Sequence, residues 1–491
     1  MAIYKFKSAY FLVVLLCVSM GWGCNLEVIP PDTEPVGPTL SADFSFKLTP
    51  NDFAPCVAEF TDKSAEANTY AWYIKSTSNS RDSQFSTIIN PTINLTQPDS
   101  FTVTLVVKNP SKFGSASQTV TKGIRVNIKT FENTLSAFGI GRKVIQTSDG
   151  SFIIAGTKTQ VGSSAFTDGY VIKIAADGTL VSTFKNLIIN MSNEDEVNDL
   201  IPFIDGSVGV IGTTLSKDGT NKDIFYAQIS SDLGTLLKDT TRIGISSKHE
   251  SALGAVLTGT PMGWFAVCGY STALPTGTQN AYLFNRSANT AFSSFDNPYA
   301  STNVEVLNDI VLNADGGFIS VGKTKAVGST VGDVLFMRVN SGGVKAGVGA
   351  KSIGMPLDLE EARAVTKTRS TAKFFVAGTS FANGSLLGNF WFLLTDQDGL
   401  GTPFSFGDAN INEESRDVIE QSSGNFVIVG IRGSNAALVK TDAQGQSPVT
   451  KTYGIQAKFN ALCETKDGGL LLVGSIGSSL YIVKTDKDGN L

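Results

Sequence analysis

The chain has 491 residues, of which 49 are glycine, 42% hydrophobic and 17% charged, and its 39 basic and 44 acidic side chains leave a net charge of −5. That balance excludes a disordered chain, a coiled coil and a polytopic membrane protein, and it offers no excess of positive charge to draw nucleic acid. A single histidine, His249, removes His-rich metal sites and most multi-histidine mechanisms, so neither a metal nor a cofactor is expected.

Two lysines within residues 1–7, an apolar run from Ala9 to Met20, and Gly21-Trp22-Gly23-Cys24 read as an export signal. The apolar run is shorter than the about 20 residues a spanning helix needs. A cysteine directly after Gly23 resembles the bacterial lipoprotein signal, which implies cleavage after residue 23, acylation of Cys24 and anchorage to a membrane. Residues 24–40 hold four prolines and little to bury, and read as an extended tether. Cys56, Cys268 and Cys463 are too few and too far apart for a disulfide framework and read as thiols acting as small hydrophobes.

Residues 41–128 alternate apolar and polar positions over Val57–Phe60, Tyr70–Ile74 and Phe101–Val107, with turn-rich stretches between them. The stretch from Ala58 to Ser64, Tyr70-Ala71-Trp72, and the run from Phe101 to Asn109 resemble the PKD family of immunoglobulin-like modules. The resemblance implies a small β-sandwich acting as a spacer or binding accessory, with Trp72 in its core.

From residue 129 onward a single repeat is written seven times. A strand ends in an anchor glycine at Gly156, Gly212, Gly269, Gly322, Gly378, Gly430 and Gly474, at spacings of 56, 57, 53, 56, 52 and 44. Tight-turn pairs such as Asp149-Gly150, Asp205-Gly206, Asp315-Gly316 and Asp467-Gly468 precede that strand, and Asp-Gly between apolar runs is a strong hairpin signal. Third strands end in a second turn, as at Asp398-Gly399 and Asp488-Gly489, and short fourth strands end at Gly407 and Gly454. Four antiparallel strands repeated seven times predict a seven-bladed β-propeller over 129–491. The seventh repeat has no fourth strand of its own, whereas residues 129–139 end in Ala137-Phe138-Gly139 like a fourth strand. The ring is therefore expected to close with this N-terminal segment, giving an all-β chain of sandwich followed by propeller. The repeats resemble propeller-forming β repeats of Bacteroidota-type surface lipoproteins, a resemblance that implies fold rather than activity.

Asp396-Gln397-Asp398 and Asp486-Lys487-Asp488 look like parts of a calcium loop but lack its third acid and its late glutamate, and read as turns. Trp391 aligns with Tyr170 and Tyr481 and reads as blade core, while His249 reads as an exposed residue of a connection between blades. Glu196, Glu250, Glu305, Glu361 and Glu414 stand 16 to 19 residues before their anchor glycines in five consecutive repeats. Repeats seven and one carry Lys458, Arg142 and Lys143 there instead. These positions predict an acidic crescent with a basic gap at the channel mouth, suited to a cation, a basic peptide or an amino-bearing glycan; the competing reading is a solvated rim that satisfies backbone amides.

Three functions follow from different classes. The first is a non-enzymatic envelope lipoprotein on the outer membrane that binds protein or glycan on one propeller face. The second is a propeller carbohydrate-active hydrolase or lyase, which needs paired carboxylates over a cleft. The third is a structural component of an envelope complex.

Overall fold

The computed structural model describes residues 39–491 apart from residues 78, 161–165, 216–220, 233, 245–247, 259–262, 274–276, 291, 356 and 383–384. The leader, Cys24 and nearly all of the tether lie outside the described residues. The chain divides into two compact units, the smaller built from 59–93, 101–124 and the described residues up to 47, the larger from 125–491 with 48–58 and 94–100. Apart from one helical turn at Pro110–Phe113, every regular element among the described residues is a strand.

Two small sheets account for the N-terminal region. One orders Phe44–Thr49, Cys56–Asp62 and Thr92–Leu95; the other orders Ser83–Ser86, Thr69–Ser76, Asp99–Lys108 and Ser117–Val126. Trp72 is fully buried, its ring 5.1 Å from Phe44 and 5.3 Å from Phe60, and its Nε1 donates to the Ile88 carbonyl at 2.9 Å. A buried indole satisfied in this way is core, as its alternating strand implies.

Seven four-stranded antiparallel sheets fill the larger unit. Their first strands are Ile140–Gln146, Asp195–Pro202, Lys248–Leu257, Asn303–Leu312, Leu359–Lys367, Glu413–Glu420 and Ala457–Glu464. Each first strand packs on the next, and the seventh packs on the first, so the blades form a closed ring around an axis. Phe131–Leu135 supplies the seventh blade's outer strand, pairing Leu135 with Leu480 and Phe131 with Lys484. The closing strand is shorter than the segment the sequence suggests, yet the Phe138 carbonyl still accepts from Leu480 N at 2.9 Å. Blade interfaces are apolar: Tyr170, Trp391 and Tyr481, the shared third-strand position, are all buried.

The anchor glycines have a steric cause. In every blade the first strand carries a β-bulge opposite the anchor glycine, for example Val197 facing Gly212 and Asp199 facing Ile211, with Asn198 left over between them. The bulge drives the carbonyl of the preceding residue against the glycine Cα. A Cβ on Gly212 would lie 1.9 Å from the Glu196 oxygen, on Gly322 1.9 Å from that of Val306, and on Gly430 1.8 Å from that of Glu414. No side chain fits there. The turn glycines are required for a different reason, since Gly150, Gly206, Gly316 and Gly468 sit at φ of 85°, 82°, 79° and 79°, where L residues are strained.

Gly322→Ala should therefore lower stability by about 3 kcal/mol or more, because backbone must move to admit the methyl group. Gly123→Ala, where nothing lies within 4 Å of the added Cβ, should change the melting temperature little. Deleting residues 131–135 should expose the third strand Ser479–Thr485 as an edge and produce aggregation on heating; light scattering and thermal melts check both outcomes.

Candidate functional site: the axial channel

A bulge adds one residue that faces neither blade surface, and the closed ring aims all seven of these at the axis. They are Arg142, Asn198, Leu253, Asn308, Arg363, Arg416 and Asn460. All line an axial cavity of about 170 Å³, together with Lys143, Asp199, Asp309 and Asp417 from the next position along.

The aspartates bind neighbouring blades to one another. Asp199 accepts from Ala255 N at 2.8 Å, Asp309 from Val365 N at 2.8 Å, and Asp417 from Leu462 N at 3.1 Å, in each case on the following blade. The bulge asparagines do the converse by donating to the following blade's carbonyl: Asn198 to Ala252 at 2.8 Å, Asn308 to Ala362 at 2.7 Å and Asn460 to Gly141 at 2.8 Å. Backbone groups freed by one bulge are thus satisfied by the side chains of another.

Lys143 lies at the centre of this layer, its Nζ 3.2 Å from Asp199 Oδ1. Burial works against its charge, but Asp199, Asp417 and Asp309 together outweigh that and hold its pKa above the ordinary ammonium value. Three carboxylates around one ammonium are too many to remain fully charged. Burial pushes the Asp309 carboxyl up to about 7, against the pull of Lys143 and the Val365 amide, and Asp417 is raised for the same reason.

The glutamates expected to form one acidic crescent occupy two different positions. Glu196, Glu361 and Glu414 stand immediately before the bulge and are ion-paired: Glu196 with Arg142 at 3.4 Å, Glu361 with Arg363 at 3.1 Å and Lys323 at 3.5 Å, and Glu414 with Arg416. Glu250 and Glu305 stand one residue earlier and are buried, at 1% and 8% exposure, so they do not belong to the mouth. The series that recurs at their position is Asp195, Glu250, Glu305, Glu360 and Glu413. Several of these acids accept amides from the connection before their strand, as Asp195 does from Met191 and Ser192, and Glu413 from Asp408. A bare acidic rim is therefore corrected to a paired one.

Four cations remain close together at that mouth. Lys458 is held below the usual ammonium range by burial and by Arg416 and Arg142, and Arg416 is likewise lowered by burial and by Arg363, with Glu414 opposing. Arg416 Nε is buried with no hydrogen-bond partner. Beside Arg416 and Lys458 the rim is low, because blades six and seven join their second and third strands through two-residue turns, Arg432 to Asn435 and Ile476 to Ser479.

His249 lies within a first strand rather than in a connection: it pairs with Thr272, and its Nδ1 accepts from Lys222 N at 3.0 Å. The Asp396 and Asp486 carboxylates each accept two amides of their own turn, those of Asp398 and Leu400 and those of Asp488 and Asn490, and are turn residues. Lys143, expected in the basic gap of the mouth, lies instead in the channel layer with Asp199, Asp309 and Asp417, three residues not singled out in the sequence although a signal is present: each of the four stands 13 residues before its anchor glycine.

No family model matches the chain, and no curated protein does. Among solved structures it is similar to Sqt1 from Chaetomium thermophilum, at 9% identity and a TM-score of 0.44 over 72% of this chain and 99% of that one. Others are the β-propeller domain of the Trilobed protease from Pyrococcus furiosus (8%, 0.41, 72% and 97%) and the soluble aldose sugar dehydrogenase from Escherichia coli (10%, 0.38, 73% and 99%).

Lys143→Met should cost about 3–5 kcal/mol, since it leaves buried carboxylates without their cation, and Asp309→Asn in the same chain should restore part of the loss. Asp309 also sets a pH dependence. Its folded pKa of about 7 lies above the unfolded value of about 3.9, so the native state holds the proton more tightly. Its contribution to stability is complete below about pH 4 and is lost as pH rises through about 7. Denaturant melts across that range should show a decline that is flatter in Asp309→Asn.

Proposed function

We propose that this chain is a cell-envelope lipoprotein, anchored to the outer membrane through Cys24, whose propeller is a non-enzymatic binding or scaffold module taking an acidic group of a protein or glycan partner at its channel mouth. The PKD-like region serves as a spacer between anchor and propeller. One observation carries the choice of ligand: Arg142, Arg363, Arg416 and Lys458 converge where Glu196, Glu361 and Glu414 supply only three negative charges, and Lys323 shares Glu361. A carboxylate or sulfate arriving over the low rim relieves that repulsion. This polarity is opposite to the one the glutamates alone suggest. The cavity of about 170 Å³ is smaller than the roughly 300 Å³ of an ordinary small-molecule pocket, so it takes the tip of a ligand whose remainder lies on the face. The channel's own acids are engaged in amide and ion-pair contacts, which supports binding over hydrolysis.

On an array of acidic and neutral glycans and peptides at low salt, acidic probes should be retained, and the Arg363→Gln, Arg416→Gln double variant should lose about tenfold or more. Equal retention of acidic and neutral probes, or release of reducing sugar from a polysaccharide, would overturn the reading. For the anchor, Cys24→Ala should move the protein from the membrane to the soluble fraction or block its processing. Unchanged membrane association with cleavage intact would remove the lipid assignment.

A further inference from the structure

A belt of polar groups runs through blades two to six at the register two residues before the bulge, where blades seven and one carry Ala457 and Gly139. Within a blade it joins the first-strand acid through a second-strand residue to the third strand: Glu305 faces Thr324, which faces Asp333, and Glu360 faces Ser380, which faces Asn389. Between blades it passes the glycine that closes the fourth strand. At Gly407, Glu413 Oε2 and Asn389 Oδ1 approach from opposite blades, at 1.9 and 2.6 Å from an added Cβ. At Gly354, Asp333 Oδ1 and Glu360 Oε2 do the same at 2.4 and 2.8 Å, so these two carboxylate oxygens lie within about 5 Å of each other.

Two sibling positions show how such acids can be balanced, while Glu305 Oε2, like Glu360 Oε2, has no hydrogen-bond partner. Glu413 is bound by Arg432 Nε at 2.7 Å and faces a neutral amide. Asp223, beside Gly244, has Arg242 at 3.4 Å. At Gly354, by contrast, both partners are acids, and Ser352 stands two residues before the glycine, where Arg242 stands before Gly244. Asp333 receives the Ser352 hydroxyl, and Glu360 Oε1 receives Met355 N at 2.8 Å. Glu360 is fully buried, at 0% exposure, and its Oε2, aimed at Asp333, has no hydrogen-bond partner.

We propose that Glu360 and Asp333 hold a divalent cation, calcium by preference, between blades four and five, where Arg432 and Arg242 supply positive charge at two of the sibling positions. The donors are hard oxygens, which suit calcium over softer metals. Asp333 is only partly buried, so a cation would meet solvent on the Asp333 side, while the Glu360 side is closed. Burial, with Asp358 and Asp333 adding to it, pushes the Glu360 carboxyl up to about 7, as expected of an acid whose counter-charge is missing. A cation here ties the connection before Leu359–Lys367 to the preceding blade.

The test is calcium chloride titrated into the full chain after EDTA treatment, read by calorimetry and by melting temperature. Two protein carboxylates suggest a Kd on the order of 10⁻⁴–10⁻³ M, so 10 mM calcium should raise the melting temperature by about 2–4 °C. Glu360→Gln and Asp333→Asn should each lose that increment, whatever their own melting temperatures, while Asp488→Asn, in a distant turn, should retain it. The proposal is overturned if calcium gives neither heat nor a shift, or if both variants keep the full increment. It is equally overturned if calcium has no effect while the stability lost above about pH 7 is recovered by Glu360→Gln, because Glu360 is then kept neutral by a proton instead of a cation.

Discussion

The contact between a bulged carbonyl and an anchor glycine is the constraint from which the remaining architecture follows. At 1.8 to 2.3 Å from the position of an added Cβ, the carbonyl oxygens of Ile140, Glu196, Ser251, Val306, Glu361, Glu414 and Lys458 make glycine obligatory once in each blade. The same bulge turns one residue out of the ladder toward the axis. Sevenfold closure then gathers those residues into one channel. A single backbone irregularity, repeated, therefore fixes both the sequence period and the place where side chains can act together.

The channel is tied together across blades rather than within them. Asp199, Asp309 and Asp417 each reach an amide of the following blade, and Asn198, Asn308 and Asn460 each reach a carbonyl. Apolar packing between blades is nondirectional and tolerates small rotations, whereas these bonds hold each first strand in register with its neighbour. Lys143 adds a charge that links one blade to aspartates from three others. Packing of the seventh blade's first strand on the first blade's completes the ring that places this lysine among them.

Much of the frame was legible in the sequence because its causes are local. Asp-Gly turns require positive φ, apolar alternation reports strand faces, and the anchor glycines report a steric contact that recurs at nearly constant spacing. Even the exchange of an N-terminal strand into the last blade could be counted from the repeats. The site was far less legible. Glu250 and Glu305 fall in line with Glu196, Glu361 and Glu414 when distance from the glycine is counted, yet a one-residue offset in a strand reverses the face a side chain presents. Two of the five glutamates are consequently buried between blades, and the other three meet arginines at the mouth.

The sequence by itself determined the strand composition, the sevenfold repeat, the turn chemistry and the closing segment, because each depends on short-range sterics and periodicity along the chain. Tertiary structure alone decided which charges meet. Lys143 and Asp417 are 274 positions apart in the sequence and share one layer only because the ring closes. Glu360 and Asp333 face each other only because a glycine lets two blades approach. Charge neutralisation is a property of neighbours in space: a shared spacing from the anchor glycine marks the channel layer, but only the closed ring brings its charges together.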